Sequence, residues 1–210
     1  MTHSPLLRHD QTLFRDPDVF EFTFVPDHLH HRDAQVQELA FLIRPARRGG
    51  SALSAVLRGP PGTGKTTTVR RLFREVTETT RQVVPAYVNC RHDRTPLAVY
   101  RSIFEQVHGY APPPVGRHLD EIRRGIAARL RDHDAALIVC LDDANELIPA
   151  GTYNTLLYQI LRLYEKWNVR KPGVFAVTSD LALNLYAEAD ESVRSVFHPT
   201  EVNFTPYTKV

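Results

Sequence analysis

The chain has 210 residues, of which 42% are hydrophobic and 24% are charged, and its formal net charge is +2. These values are typical of one large globular domain, or of one and a half small ones, and so small a net charge gives no argument for nucleic-acid binding. No apolar run approaches the roughly 18 residues of a membrane span, and the first residues lack a signal-peptide core. The sequence therefore predicts a cytoplasmic protein without a membrane partner.

The first part of the chain is predicted to form an arm, a turn and a helix. Residues 1–24 are polar with spaced phenylalanines, and we expect them to lie over the body of the protein, residues 25–210. A turn at Pro26 precedes a helix for which Asp33 is the predicted N-cap. Pro45 and the glycine pair after it are predicted to end that helix.

A glycine-rich stretch comes next, and residues 59–66 read G-P-P-G-T-G-K-T. It lies between an apolar run and a stretch with helical spacing, which is the context that the P-loop pattern requires; the alternative is an ordinary turn joining a strand to a helix. In a P-loop, glycines let main-chain N–H groups point at a phosphate chain. Lys65 would reach the β- and γ-phosphates of ATP, and the Thr66 hydroxyl would ligate Mg²⁺. The predicted ATP-binding residues here are Gly59, Pro60, Pro61, Gly62, Thr63, Gly64, Lys65, Thr66 and Thr67.

Strand-like and helix-like segments alternate along the rest of the chain. We predict strands at 83–89, 135–141, 173–178 and 202–204, and helices at 95–107, 119–130 and 153–167. Because strands alternate with helices, the chain should form right-handed βαβ crossovers and a parallel sheet of the α/β class.

Two cysteines and a cluster of histidines are the candidates for a metal or redox site. Cys90 and Cys140 each lie in or at the end of a strand-like run, which predicts buried, reduced thiols. His28, His30 and His31 share no helical face with another ligand, so a polar loop is favoured over a metal site.

Two carboxylates, Asp142 and Asp143, follow a continuous apolar strand. Ligands of open α/β sheets bind beyond the carboxyl ends of the strands, which would bring Asp142 beside the P-loop to hold Mg²⁺ through water. Asp143 would orient or deprotonate the water that attacks the γ-phosphate. The alternative is a solvated strand end. Related ATPases mostly have Glu at the position of Asp143, so slow hydrolysis, or binding with little turnover, is also open.

Two further residues are candidates for catalysis. Ser179 follows the strand at 173–178, where its hydroxyl could reach the γ-phosphate, or could instead cap a following helix. Arg194 could reach the γ-phosphate of a neighbouring subunit as an arginine finger, or be a solvated surface residue.

Taken together, these segments resemble the AAA+ ATPases of the origin-recognition and cell-division-control initiator family, especially its archaeal members. The resemblance runs from about Leu13 onward. Besides the P-loop and Leu141–Asp143, the matching residues are Val25–Pro26, Leu29, His31–Arg32, Gln35, Tyr87–Cys90, Arg94–Pro96, Asn154–Tyr158, Thr178–Leu181 and Val202–Tyr207.

The resemblance implies an AAA+ P-loop NTPase fold, a three-layer α-β-α sandwich with five parallel strands, as a nucleotide-binding domain over residues 25–210. Val25, Leu29, Arg32 and Tyr207 would flank the adenine and ribose. Ser179 stands where the family usually has a sensor asparagine, and Arg194 matches the region of its arginine finger.

The resemblance also implies partners. The helix after Arg94 would correspond to an initiator-specific insertion that touches DNA, although only Arg94 and Arg101 offer charge there. Origin DNA, AAA+ protomers and a replicative helicase are the expected partners besides ATP and ADP. Because the sequence stops at Val210, we expect the family's helical lid and winged-helix domain to be absent.

The predicted function is the ATP-binding module of a DNA replication initiator, with ATP binding and slow hydrolysis switching its assembly on DNA. One alternative is a nucleotide-gated interaction module that does not hydrolyse ATP. The other is a signalling P-loop ATPase with no part in replication.

Overall fold

A computed structural model describes residues 31–112 and 118–207. The predicted arm, residues 25–30 and most of the proline-rich loop at 111–116 lie outside the described residues. The elements, in chain order, are α1 (Asp33–Arg47), β1 (Ala55–Arg58), α2 (Lys65–Thr79), β2 (Val83–Asn89), α3 (Pro96–His108), α4 (Leu119–Asp132), β3 (Ala136–Asp142), a 3₁₀-helix (Ala144–Leu147), α5 (Tyr153–Leu161), α6 (Leu163–Trp167), β4 (Gly173–Thr178), α7 (Glu191–Arg194) and β5 (Thr200–Asn203).

The five strands form one sheet in the order β2-β3-β4-β1-β5, and every neighbouring pair is parallel. Their carboxyl ends therefore share one edge of the sheet. In this register Asn89 lies beside Asp142, and Arg58 lies between Thr178 and Asn203. The loops that follow β1 and β3 consequently leave the sheet on the same side, which confirms the predicted parallel α/β architecture.

Hydrophobic residues cover both faces of the sheet. Along β3 all seven residues are buried, and alternate side chains point to opposite faces. Ile138 and Cys140 pack with α1 and α2, whereas Val139 and Leu141 pack with α3, α4 and α5. Two helical layers thus enclose the sheet, and both cysteines are free and buried as predicted. Burial raises the pKa of both thiols, which keeps them protonated.

Local sequence signals set the ends of α3. The Thr95 hydroxyl accepts a hydrogen bond from the Ala98 N–H at 3.2 Å, and Pro96 occupies the first turn, where its missing N–H costs nothing. Gly109 ends the helix with φ 80°, a conformation that glycine adopts without strain. A cap of this kind stabilises a helix by about 1 kcal/mol.

The prediction for α1 was wrong at its N-terminus and only partly right at its C-terminus, where Gly49 follows the helix with φ 88°. Arg32, not Asp33, is the N-cap, because its carbonyl accepts the first helical hydrogen bond from Val36 at 2.9 Å. Pro45 lies inside the last turn and does not end the helix. Proline lacks only its own N–H, and the Pro45 carbonyl still accepts hydrogen bonds from Arg48 and Gly50.

The predicted helix at 153–167 is two helices, α5 and α6. Arg162 separates them with φ −103° and ψ 17°, outside the helical range. No proline or glycine marks this break in the sequence, so the hydrophobic spacing predicted one continuous helix. The last strand also begins two residues earlier than predicted, at Thr200. Within the described residues, no helix has both the length and the apolar character to cross a membrane.

Candidate nucleotide-binding site

The glycine-rich turn joins β1 to the first residue of α2, as the P-loop pattern predicts. Gly64 is the N-cap of α2 with φ 86°, a left-handed conformation that a β-carbon would strain. Gly59 is needed for close approach, since a β-carbon there would lie 2.2 Å from the carbonyl oxygen of Phe204. The turn therefore presents main-chain N–H groups at the N-terminus of a 15-residue helix, the usual setting for an anion.

Lys65 is the first residue of α2, and its side chain folds back over the loop. Its Nζ donates hydrogen bonds to the carbonyls of Gly59 at 2.6 Å and Pro60 at 2.9 Å. Burial lowers the pKa of the ammonium, while the charges of Asp142 and Asp143 act in the opposite direction. The ammonium is thus held at the loop beside two carboxylates.

Asp142 ends β3 and meets the start of α2. Its Oδ2 accepts a hydrogen bond from the Thr66 hydroxyl at 2.8 Å. Asp142 continues the Ile138 and Cys140 row of side chains, which faces α1 and α2, so the strand alternation directs the carboxylate toward α2. The structure therefore brings together the two side chains that were predicted to bind Mg²⁺, and Asp142 is buried with an exposure of 5%.

Asp143 turns away from the strand in a left-handed conformation with φ 53°. Its carboxylate forms an ion pair with Arg91, with 2.7 Å between Oδ2 and Nε. Burial and then the Asp142 charge raise the pKa of Asp143, and Arg91 opposes this shift. The second carboxylate is therefore tethered to a largely exposed arginine at the mouth of the site.

These groups surround an open hollow of about 360 Å³. A site of this size suits a phosphate chain with its metal ion and water. Its lining is mostly polar and comprises Pro61, Gly62, Gly64, Lys65, Thr66, Thr67, Arg91, Asp142, Asp143 and Ser179. Of the other predicted loop residues, Gly59 and Pro60 accept from Lys65, and the buried Thr63 donates its hydroxyl to the Pro60 carbonyl.

Arg32 and Tyr207, predicted to flank the adenine and ribose, lie together against Gly64. A β-carbon on Gly64 would be 3.1 Å from the Tyr207 hydroxyl and 4.0 Å from Arg32 Nε. The Arg32 guanidinium lies over the Tyr207 ring at 4.2 Å from its centroid and donates to the Thr205 carbonyl at 2.6 Å. Val25 and Leu29, predicted for the same role, lie outside the described residues.

Ser179 and Arg194 are placed differently from one another. Ser179 lines the hollow, and no helix follows it directly, so the alternative that it caps a helix is wrong. Arg194 ends α7, is exposed, and donates from Nε to the Ala189 carbonyl at 2.6 Å. It does not line the hollow, and a role toward a neighbouring subunit stays a prediction.

Two residues at the site were not predicted for it. Tyr87 donates its hydroxyl to Asp142 Oδ2 at 2.5 Å, and Arg91 pairs with Asp143. Burial and the hydrogen bond to Asp142 raise the pKa of Tyr87, which keeps its proton on the phenol. Both residues reach the site because β2 adjoins β3, and no local sequence pattern indicates that pairing.

The sheet, the P-loop and the strand-end carboxylate define the fold of a P-loop nucleoside triphosphatase. The chain belongs to the family of AAA domains, since the model of that family matches residues 47–178, more than half of its length.

Three similar proteins indicate which group of AAA proteins this chain resembles. ORC1-type DNA replication protein 3 of Haloarcula marismortui is 41% identical over 96% of this chain and 54% of its own length. ORC1-type DNA replication protein 2 of Methanothermobacter thermautotrophicus is 39% identical, over 97% of this chain and 53% of its own length. A structure of the Aeropyrum pernix ORC1 protein in complex with DNA is 31% identical with a TM-score of 0.75, and the match covers 92% of this chain and 50% of that one.

These comparisons confirm the predicted resemblance to AAA+ replication initiators and the predicted fold. The chain spans about half the length of the relatives that it matches. Membership of the AAA family implies that the chain binds a nucleotide.

Proposed function

We propose that this chain is the ATP-binding module of a DNA replication initiator, in which bound ATP and Mg²⁺ switch assembly on origin DNA. The observation that carries the proposal is the meeting of Thr66 and Asp142 at the mouth of the P-loop, beside a hollow of phosphate-chain size. When bound, Mg²⁺ would neutralise charge on the phosphates.

The residues of the site fit this nucleotide by their chemistry. Main-chain N–H groups of the loop and the α2 N-terminus bind phosphate oxygens, and Lys65 exchanges its two carbonyl contacts for the β- and γ-phosphates. Thr66 and Asp142 supply the hard oxygen donors that Mg²⁺ prefers. Arg32 and Tyr207 bind the adenosine end, because both lie against Gly64.

The replication role is supported by the relatives. Two of them are named ORC1-type DNA replication proteins, and the Aeropyrum pernix relative was solved in complex with DNA. Within this chain the support from α3 is small, because Arg94 already pairs with Glu146 at 3.0 Å. We propose that the assembled protein makes the contact with DNA. We also propose that its protein partners are AAA+ protomers or a replicative helicase.

The experiment that tests the proposal measures nucleotide affinity in the wild type and in Lys65→Ala. Loss of a charge-assisted hydrogen bond costs about 1.5–3 kcal/mol, so we expect affinity for Mg²⁺–ADP to fall about 10- to 100-fold. Lys171→Ala is the matched control, because Lys171 precedes β4 and therefore lies at the amino ends of the strands, whereas the P-loop follows a carboxyl end. Equal affinity in Lys65→Ala and the wild type would remove the proposal.

A second arm of the same experiment separates replication from signalling. Binding to duplex DNA is measured with and without ATP over a series of salt concentrations. We expect ATP-dependent binding that weakens steeply as salt rises, because phosphate contacts release counterions. A wild type that binds nucleotide but no DNA at low salt would favour the signalling alternative.

A nucleotide-gated module without turnover is the second candidate function. It is favoured by one observation, the ion pair that ties Asp143 to Arg91. A carboxylate engaged in this way is a poorer base for an attacking water than a free one. The module would then respond to nucleotide binding alone.

A further inference from the structure

The Tyr87 hydroxyl and the Thr66 hydroxyl converge on the same oxygen of Asp142. Tyr87 donates to Oδ2 at 2.5 Å and Thr66 donates to it at 2.8 Å. Both hydrogen bonds in the described part of the chain go to Oδ2, and this leaves the Oδ1 lone pairs for a metal-bound water. A carboxylate held by two donors from different elements has one orientation rather than several.

We propose that Tyr87 is a positioning residue for the magnesium site, whose hydroxyl fixes the orientation of Asp142 before the metal binds. The inference rests on the proposed function, since it needs Mg²⁺ at Asp142. Groups that orient metal ligands in this way typically contribute 10- to 100-fold to metal affinity or activity.

The Tyr87 ring is itself held in place by α2. The guanidinium of Arg70 lies over the ring at 4.5 Å from its centroid. Arg70 belongs to the same helix that begins with Lys65 and Thr66. The element that carries the phosphate-binding ammonium and the metal-binding hydroxyl therefore also fixes the aromatic ring beneath Asp142.

The main chain of Tyr87 is held by a side chain of α3. Among the described residues β2 is an edge strand, so its outward N–H and C=O groups have no partner strand there. The Gln106 side chain of α3 satisfies both at Tyr87, with distances of 2.8 Å to the N–H and 2.7 Å to the carbonyl. Ring and backbone are thus both restrained, which directs the hydroxyl at Asp142.

Tyr87→Phe separates positioning from packing, because it keeps the ring and its contact with Arg70 and removes only the O–H. The full chain is titrated with Mg²⁺ while binding of ADP carrying an N-methylanthraniloyl fluorophore is followed. The Mg²⁺ concentration at the midpoint should rise about 10-fold or more in Tyr87→Phe. Affinity for the same nucleotide in EDTA should stay at the wild-type value.

Tyr158→Phe is the matched control. Tyr158 also lies under an arginine, with Arg162 at 5.0 Å from its ring centroid, but it does not line the hollow. Its Mg²⁺ midpoint should match the wild type. A Tyr87→Phe midpoint equal to that of the wild type, or a loss of affinity of the same size in EDTA, would overturn the inference and leave the proposed function intact. A wild type that binds no nucleotide would overturn both.

Discussion

Asp143 is the residue at which the geometry bears most directly on turnover. Its carboxylate lies beside Asp142 and lines the hollow, yet it is paired with Arg91 at 2.7 Å. To act on a water molecule it must leave that ion pair or act within it. The arrangement predicts slow hydrolysis, with Asp143 as the residue on which the hydrolysis depends.

Asp143→Asn tests this at the scale of one side chain. An amide keeps the shape but cannot accept a proton, so single-turnover hydrolysis of ATP should fall by about 100-fold or more. Affinity for Mg²⁺–ADP should change little, which separates chemistry from binding. Asp132→Asn, an exposed aspartate at the end of α4, is the control and should hydrolyse at the wild-type rate. No phosphate release from the wild type would instead favour the non-hydrolysing module.

The sequence predicted the pairing of Thr66 with Asp142 because both positions follow from local pattern. Thr66 lies in the first turn of the helix that follows the P-loop, and Asp142 ends an apolar strand. Parallel strands bring such ends together. The Tyr87 and Arg91 contacts depend on which strand adjoins β3 and on side-chain length. Those facts belong to the tertiary structure, so local pattern could not supply them.

The packing of α3 on α4 shows how one element depends on another. The rings of Phe104 and His108 are stacked, with 4.0 Å between centroids. Gly125 of α4 lies against them, and a β-carbon there would be 2.8 Å from the Phe104 ring. Burial lowers the pKa of His108, and the nearby Arg129 lowers it further, although a main-chain contact at Gly125 acts in the opposite direction.

The histidine gives this interface a pH dependence with a defined sign. Its folded pKa lies below its unfolded value of about 6.5, so the neutral form is favoured by folding. The contribution of His108 to the free energy of unfolding is therefore complete above that value and is lost as pH falls through the window below it. Urea unfolding between pH 7.5 and 5 should show a smaller loss of stability in His108→Gln than in the wild type. Parallel pH profiles would contradict this reading of the interface.

At the scale of single elements, the ends of the helices were harder to predict from the sequence than their presence. The start of α3 was predicted to within one residue because its signal, Thr95 followed by Pro96, is local. The break at Arg162 carries no such signal, and α1 continues past Pro45 to Arg47 although proline is a common helix breaker. In both cases the hydrophobic spacing correctly indicated a helix, but it did not indicate the residue at which the main chain leaves helical geometry.

At the scale of the whole molecule, the order of the strands in the sheet determines where the nucleotide-binding site lies. β1, which leads into the P-loop, and β3, which ends in Asp142, are separated by β4, from which Ser179 follows. All three strands run parallel, so their carboxyl ends open into one crevice. The alternation of strands and helices was enough to predict this architecture, whereas the order of the strands was not predicted.

The central claim is that the P-loop amides, Lys65, Thr66 and Asp142 converge on one metal–nucleotide complex. Pulsed electron paramagnetic resonance of the full chain with ADP and Mn²⁺ in place of Mg²⁺ tests it directly. We expect one Mn²⁺ per chain, bound only together with nucleotide and showing phosphorus hyperfine coupling. In Asp142→Asn we expect the affinity for this Mn²⁺ to be lower. Nucleotide bound without a phosphorus-coupled metal, or with a metal indifferent to Asp142→Asn, would contradict it.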